Sequence, residues 1–342
     1  MSKYPAALRP ENRHANPPEN HRGSQPRYQP ANRRIAVLAA GAAFFASSLG
    51  FADVPPTMPP IAEPALAKPD TEGQKPRAVA VLAPYRYDDI LWENDRTAHR
   101  IYGHALEAHE PPSSSGIDAW GKSVRWPYME RQLKTGSQHA FHGEGLDFYD
   151  VDTTRGAGGL GVWQDNKLWV SRNWKTHEIL KNGPDVASFK VDYAPWPVDV
   201  ERKVWETRTF TLPLGTNFTR MVSTISSDKP GALIVGIGIT KRKGPNGSGV
   251  FTKDLAPGRV SYWEPTDPVK GTMGIAVMVD PKALVEIRQD AENYLVLVKV
   301  EPGKPFVYYS GAVWDKGLDF HDRAGWETYV RDQKPDFDPS RK

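Results

Sequence analysis

Residues 204–212 read VWETRTFTL and residues 232–240 read ALIVGIGIT, and these two segments decide the fold class. The first alternates in polarity from one residue to the next, which is the pattern of a strand that has one face in water. The second is apolar on both faces, which indicates a strand inside a sandwich. Neither has the 3.6-residue period of a helix, so the pair predicts an antiparallel β protein.

Similar runs recur along most of the chain. We predict ten strands, at residues 78–83, 160–163, 168–171, 186–193, 204–212, 218–226, 232–240, 273–279, 294–300 and 306–313. Clusters of turn residues space them as in a sandwich, at residues 181–185, 226–231, 243–249 and 301–305. Asp165-Asn166-Lys167 is typical of a hairpin turn. The only clear helical pattern is short and terminal, at residues 322–331.

The first part of the chain predicts export to the periplasm or secretion. Residues 35–52 form a short apolar run that follows Arg33-Arg34 and ends in small residues. We therefore expect three parts: a signal peptide with a polar leader at residues 1–52, a Pro-rich linker at residues 53–77, and a single all-β domain at residues 78–342. No segment approaches about 20 apolar residues, so we expect no stable membrane span.

Composition excludes several classes of function. The formal net charge is +3, but residues 1–52 hold seven Lys or Arg against two Asp or Glu, which leaves the remainder at −2. Because its basic residues are interspersed with acids, we expect no nucleic-acid binding. The chain has no cysteine, which excludes disulfides, thiolate ligands and a thiol nucleophile. Composition says nothing about the oligomeric state.

Residues 139–149 read HAFHGEGLDFY and concentrate the groups that carry chemistry. In an extended chain His142 and Glu144 share one face while Asp147 and Tyr149 share the other, and a bend at Gly145 would bring the two pairs together. Imidazole, carboxyl and phenol groups gathered in this way are typical of acid/base sites. The alternative is a β-bulge whose polar side chains satisfy buried backbone groups.

Residues 94–106 read NDRTAHRIYGHAL and form a second candidate row. If this segment is extended, Arg96, Arg100, Tyr102 and His104 point to one side. An arginine fork can hold a carboxylate, and the tyrosine can donate a proton or stack on a sugar ring. The alternative is a solvated edge strand whose basic residues merely pair with nearby acids, namely Asp88, Asp89 or Glu107.

Residues 113–126 read SSSGIDAWGKSVRW, a Gly/Ser-rich loop of the kind that often carries binding residues. It places Asp118, Trp120 and Lys122 as candidate substrate-binding groups. Eleven tryptophans in the chain favour a saccharide ligand, although tryptophan is also a common core residue. Residues 156–161 read GAGGLG, but no helix pattern follows them, so we reject nucleotide binding.

Three chemistries fit these residues. In an elimination, His142 or His104 removes a carbon-bound proton beside a carboxylate, and a tyrosine protonates the departing oxygen. In a hydrolysis, Glu144 and Asp147 act as paired carboxyls on a glycosidic bond. In a metal site, His139 and His142 join an acid, but their spacing matches no zinc pattern, so we expect no metal and no cofactor.

The chain resembles a family of exported bacterial proteins, the domain of unknown function 4861. The likeness runs from about residue 85 to the C-terminus, and its motifs are WENDR at 92–96, SGIDAW at 115–120, HGEGLDFY at 142–149, GAGG at 156–159 and EILKNG at 178–183. The polar motif residues of the family fall on Asn94, Asp95, Arg96, Asp118, Lys122, His142, Glu144, Asp147 and Tyr149. The family is encountered among genes that degrade uronate-containing polysaccharides, so the resemblance implies a carbohydrate-active role.

The resemblance also implies an all-β saccharide-handling fold. We expect a large antiparallel β-sandwich, a supersandwich of the galactose-mutarotase-like type, with few short helices. The leading hypothesis is a lyase or dehydratase that eliminates across C4–C5 of a uronic-acid residue in an acidic oligosaccharide. For it we assign His142 as base, Tyr149 as acid, Glu144 to orient His142, and Arg96 or Arg100 to grip the carboxylate. A sugar hydrolase or epimerase and a non-catalytic saccharide-binding protein are the alternatives.

Overall fold

The computed structural model describes residues 72–111, 113–244 and 247–341. The predicted signal peptide and most of the predicted linker therefore lie outside the described residues. Within the described ranges, no helix has the length and apolar character needed to cross a membrane. These ranges are built mainly of antiparallel strands.

The first sheet is formed by the segment that contains most of the motif residues. Its five strands are β1 (Val79–Ala83), β2 (Asp89–Glu93), β3 (Ala98–Ile101), β4 (Ile117–Lys122) and β5 (Gly145–Leu146), in that spatial order. Every residue of β2, β3 and β4 is buried, which explains why alternation of polarity is absent from them. This sheet carries the candidate site.

Two further sheets and a separate hairpin follow in the chain. Their strands are β6 (Ala157–Gln164), β7 (Lys167–Trp169), β8 (Thr176–Asn182), β9 (Val186–Pro197), β10 (Lys203–Pro213), β11 (Phe218–Ser227), β12 (Leu233–Thr240), β13 (Lys243–Gly244), β14 (Gly247–Ser248), β15 (Val250–Ala256), β16 (Arg259–Trp263), β17 (Met273–Val279), β18 (Leu284–Gln289), β19 (Asn293–Val300) and β20 (Pro305–Trp314). The eight-stranded sheet has the order β15-β16-β17-β20-β11-β10-β9-β8, and the smaller one β18-β19-β12-β6-β7. The remaining pair, β13 and β14, forms a hairpin of its own.

The helices are few and short. They are α1 (Leu106–His109), α2 (Met129–Leu133) and α3 (Arg323–Asp332), with one 3-10 turn at Pro84–Arg86. Asp322 caps α3 by accepting from the Gly325 amide at 2.8 Å, and the buried side chains of Trp326 and Val330 pack α3 on the eight-stranded sheet. The β strands thus make up nearly all of the regular structure described.

The main core lies where the sheets face one another. Strand β12 contributes Val235, Ile237 and Ile239 to it, and β17 contributes Ile275 and Val277, all of them buried. Strand β12 pairs with β6 and β19 along its two edges, and all but one of its residues are buried, so both of its faces are covered. The prediction of a large antiparallel β-sandwich with few short helices is confirmed.

All ten predicted strands are present, with ends that differ by at most four residues, and α3 occupies the predicted helical segment. The hairpin turn is confirmed as well, because Asp165 and Asn166 both adopt positive φ between β6 and β7. Some strands that were not predicted have no alternation of polarity by which they could be detected. Strands β2 and β4 are wholly buried, while β8 is exposed at nearly every residue.

Candidate active site

A polar cleft of about 450 Å³ opens beside the end of β3. The described residues that line it come from the 3-10 turn, β3, α1 and its following loop, and the segment on either side of β5. They are Arg86, Arg100, Tyr102, Leu106, Glu110, Pro111, Ser113, Gln138, His139, Asp147, Tyr149, Asp150, Val151 and Asp152. Four of the predicted site residues are among them, namely Arg100, Tyr102, Asp147 and Tyr149.

Arg100 is the centre of the cleft floor. It lies directly across from Asp118 in the antiparallel pairing of β3 with β4, so the two side chains share one face of the sheet. The Nε of Arg100 donates to Asp118 Oδ2 at 2.9 Å, and its Nη2 donates to Asp147 Oδ2 at 2.9 Å. The indole of Trp120 donates to the same Asp118 oxygen at 3.0 Å. Strand β5 brings Asp147 to this point because it pairs with β4.

Three carboxyls surround this single buried arginine. The third is Asp89, whose Oδ2 lies 3.7 Å from Arg100 Nη1. Burial raises the pKa of Asp147 to about 8, with Asp118 adding to the effect and Arg100 opposing it. Burial likewise raises the pKa of Asp89 to about 7 against the opposing charges of Arg100 and Arg86. Burial in the cleft floor therefore favours the protonated form of the Asp147 carboxyl.

His139 stands at the mouth of the cleft beside Asp147. Its Nδ1 lies 3.0 Å from the Asp147 carbonyl oxygen and 3.8 Å from Asp147 Oδ2. A carbonyl oxygen only accepts, so Nδ1 carries the proton; the Gln138 amide nitrogen, 3.2 Å from Nε2, only donates. The Nε2 lone pair therefore accepts from the Gln138 amide, on a side chain that is 64% exposed. His139 can act as a base at Nε2 when the Gln138 amide is displaced.

Two phenols complete the lining. Tyr102 packs its ring under Arg100, with the guanidinium carbon 5.1 Å from the ring centroid. Burial raises the pKa of Tyr102 well above its usual value, with Asp118 adding to it. Burial also raises the pKa of Tyr149 strongly, with Glu264 adding to it. Both phenols therefore stay protonated and can donate to an oxygen, but neither can serve as a base.

Arg242 braces Tyr149 from behind. Its guanidinium lies 4.7 Å from the Tyr149 ring centroid, and its Nη1 and Nη2 donate to Asp150 Oδ2 at 3.1 Å and to the Asp150 carbonyl at 2.6 Å. Its Nε lies 2.6 Å from Glu264 Oε1. Burial raises the pKa of Glu264 to about 7, while Arg242 opposes the shift. These contacts connect the side of the cleft formed by Tyr149 and Asp150 to the ends of β12 and β16.

His142 and Glu144 lie apart from the cleft lining. The Nε2 of His142 contacts the Ser137 carbonyl at 2.9 Å, so it closes the loop that carries His139. Glu144 is buried and accepts from Trp126 Nε1 and Arg131 Nη2, both at 2.6 Å. The structure therefore separates Glu144 from Asp147, which binds Arg100 instead. The expected bend at Gly145 is replaced by a short strand, and the positive φ of 94° falls on Gly143.

The other predicted residues also find partners elsewhere. Arg96 lies in the β2–β3 turn and faces Asp319 at 3.6 Å, and His104 is 60% exposed and faces Glu107 at 3.1 Å. Lys122 is buried and donates to Glu93 Oε2 at 2.7 Å. Burial lowers the pKa of Lys122 although Glu93 opposes this. The row expected from Arg96 to His104 is broken because β3 ends at Ile101.

Several residues in or beside the cleft were not predicted from the sequence. Asp89 had been considered only as a surface partner for nearby basic residues, and it is in fact buried against Arg100. Asp150 and Asp152 continue the polar string after Tyr149, which was a usable signal. Arg242 carried none, because it is distant in sequence from Tyr149. Among the residues that the structure describes, no cluster of three His, Asp or Glu side chains is arranged to hold a metal ion.

Comparisons with known proteins give three findings. A family model described as "Domain of unknown function (DUF4861)" matches residues 67–339. The chain is 32% identical to "Uncharacterized protein P7" of Formosa agariphila over 267 residues, covering 73% of this chain; it spans 65% of the length of that relative.

Among solved structures, the chain is similar to the GH36 α-galactosidase AgaB from Geobacillus stearothermophilus, with a TM-score of 0.32 and 11% identity over 69% of this chain and 40% of that one. It is also similar to the GH36 α-galactosidase AgaA from the same organism, with a TM-score of 0.31 and 11% identity over 66% of this chain and 40% of that one.

Proposed function

Because the chain belongs to the family of domain of unknown function 4861, we propose that it is a carbohydrate-active enzyme that eliminates a leaving group across C4–C5 of a uronic-acid residue in an oligosaccharide. The resemblance noted from the sequence motifs implies the saccharide class. The observation that carries the reaction type is the position of His139 beside the Asp147 carboxyl and two phenols in one cleft.

The cleft holds a side chain for each step of the elimination. The C5–H bond lies next to the uronate carboxylate, and its proton becomes more acidic when that carboxylate is neutralised. Asp147, held protonated, can donate a hydrogen bond to the carboxylate, while Arg100 behind it contributes positive charge. The substrate displaces the Gln138 amide from Nε2 of His139, and Nε2 takes the C5 proton.

The electrons of the C5–H bond then form the C4–C5 double bond, and the C4–O4 bond breaks. Tyr102 or Tyr149 donates its proton to the departing oxygen, and the phenol recovers a proton from the imidazolium of His139. The products are an unsaturated uronate and the released alcohol or water, so atoms and charge balance. Removing a general base of this kind usually slows a reaction by about 10²–10⁴-fold.

Charge pairing holds the net charge of the cleft lining to about −1 at pH 7 when Asp147 is protonated, since Arg86 and Arg100 stand against Glu110, Asp150 and Asp152. Arg86 pairs with Glu110 at 2.8 Å, and Arg242 pairs with Asp150 at 3.1 Å. The protonated form of Asp147 leaves Arg100 opposed mainly by Asp118. Since Arg100 already donates to the carboxyl groups of Asp118 and Asp147, we assign recognition of the uronate to the Asp147 carboxyl rather than to a free arginine fork.

We also propose that the protein acts after export, in the periplasm or as a secreted protein. The support is the apolar run at residues 35–52 behind Arg33-Arg34. Acidic oligosaccharides from extracellular polysaccharides would meet the enzyme there.

Incubation with uronate-containing oligosaccharides tests the proposal. The conjugated enoate product absorbs in the ultraviolet, and the His139→Ala variant should lose this signal. New reducing ends without absorbance would indicate a hydrolase instead, and anomer interconversion would indicate an epimerase. Binding of the oligosaccharide without any turnover would identify a non-catalytic saccharide-binding protein.

A further inference from the structure

An exposed tryptophan and an apolar depression lie together on the outer face of the eight-stranded sheet. Strand β10 presents its residues there in alternation, and this outward set is Lys203, Trp205, Thr207, Thr209 and Thr211. A tryptophan that is 39% exposed is out of place among threonines on a wet sheet face. An apolar depression of about 380 Å³ adjoins it.

A β-bulge sets the orientation of the Trp205 side chain. Val204 pairs with Trp196 and Glu206 pairs with Tyr193, so Trp205 faces two residues of β9, Ala194 and Pro195. Bulges re-aim side chains, and the proline occupies a position where no ladder hydrogen bond is donated. Pro195 and Trp205 together line an apolar platform.

Fixed polar groups border the platform. The Asp192 carboxylate accepts from Thr176 at 2.7 Å and from Thr207 at 2.6 Å. Lys175 lines the same depression, and Lys203 projects from the same face two residues before Trp205. Both lysines are exposed, and within the described part of the chain neither ammonium forms an ion pair.

We propose that this surface binds an acidic polysaccharide, with a pyranose ring stacked on Trp205. The apolar face of the ring covers the indole, the Asp192 carboxylate accepts from ring hydroxyls, and the two lysines attract uronate groups. The charge of the unpaired lysines selects an acidic chain over a neutral one. This surface is lined by none of the residues of the Arg100 cleft, so its role does not depend on catalysis there.

Affinity electrophoresis through gels that contain polygalacturonate tests the surface. The wild-type protein should be retarded, and Trp205→Ala should weaken the apparent affinity roughly tenfold. Trp205→Phe should retain part of the retardation. Lys175→Gln combined with Lys203→Gln should weaken retardation by polygalacturonate but leave migration in neutral dextran unchanged.

Trp163→Ala is the matched control, because Arg288 already covers the Trp163 ring at 4.7 Å. It should migrate as the wild type does, and the cleft variant Asp147→Asn should keep the part of the retardation that Trp205→Ala loses. Equal thermal melting of the variants excludes unfolding as the cause. The proposal is overturned if the wild type is not retarded, if Trp205→Ala is retarded equally, or if retardation disappears in Asp147→Asn instead.

Discussion

Arg100 donates to Asp147 at 2.9 Å in the cleft floor, yet the pKa of Asp147 is raised to about 8. The attraction of one arginine is shared among three carboxyls, so it does not offset the burial of Asp147. Relative to the usual value of 3.8, the folded state holds this proton more tightly than the unfolded state does. The contribution to stability is therefore fully present below about pH 4 and is lost as pH rises through about 8.

This linkage predicts that the free energy of unfolding falls between pH 5 and pH 8. Asp89 and Glu264, with pKa values of about 7, act in the same direction. Asp147→Asn should reduce the slope by up to about 1.4 kcal/mol per pH unit, because one proton is no longer released. Urea denaturation at several pH values measures this change in the free energy of unfolding, with Asp152→Asn as an exposed control. A wild-type stability that rises over this range would contradict the assignment.

The raised pKa of Asp147 also predicts the pH above which the proposed elimination becomes slower. If protonated Asp147 neutralises the substrate carboxylate, the rate should fall above about pH 8 as its proton is lost. Asn is a neutral donor of similar shape, so Asp147→Asn should keep activity within about tenfold and lose the alkaline fall. Initial rates of enoate formation against pH provide the measurement. A complete loss of activity in this variant would show that Asp147 transfers a proton instead.

The three candidate histidines, His104, His139 and His142, should differ in their effects. His139→Gln removes the base at the cleft mouth, so the rate should fall about 10²–10⁴-fold while the melting temperature is nearly unchanged. His142→Gln loses only the contact with the Ser137 carbonyl that closes the loop, so a smaller loss is expected. His104→Gln is the matched exposed control and should behave as wild type. An inactive His104→Gln beside an active His139→Gln would reject the cleft as the active site.

Local patterns predicted the strands well but could not predict which of them meet. Arg100 and Asp147 are 47 residues apart, and only the order β3-β4-β5 in the sheet brings them together. The buried strands β2 and β4 have no alternation, so the sheet that carries the site was the least visible in the sequence.

The glycines of the motif are required, as predicted, but the predicted reason was wrong. Gly145 was expected to bend the chain, but a Cβ there would lie 2.1 Å from the Gly121 carbonyl oxygen. It is required because two strands approach closely. Gly143, which has open space around it and a φ of 94°, is the residue that turns the chain. Residue type alone does not distinguish these two needs.

Strand β10 shows that alternating polarity identifies a strand but does not tell which of its two faces is buried. In the sequence around residue 206, charged Glu206 and Arg208 alternate with Trp205, and the wet face would be expected to hold the charges. The structure buries both charged residues because they satisfy each other: Arg208 Nε and Nη2 donate to Glu206 Oε1 and Oε2 at 2.6 Å and 2.8 Å. Ser223 also donates to Glu206 at 2.7 Å.

This buried pair gives the last prediction. Arg208→Met should destabilise the protein by about 3–5 kcal/mol, because it leaves the Glu206 charge in the core without its partner. The double variant Arg208→Met with Glu206→Met should cost much less than the single one, since no charge then remains to be desolvated. Urea unfolding of the two variants and of Glu206→Met completes a double-mutant cycle. Arg288→Met is the control, because Arg288 pairs with Glu286 on the surface and should cost at most about 1 kcal/mol. A double variant that is less stable than either single variant would mean that the pair is net stabilising and that the sheet needs its hydrogen bonds rather than its neutrality.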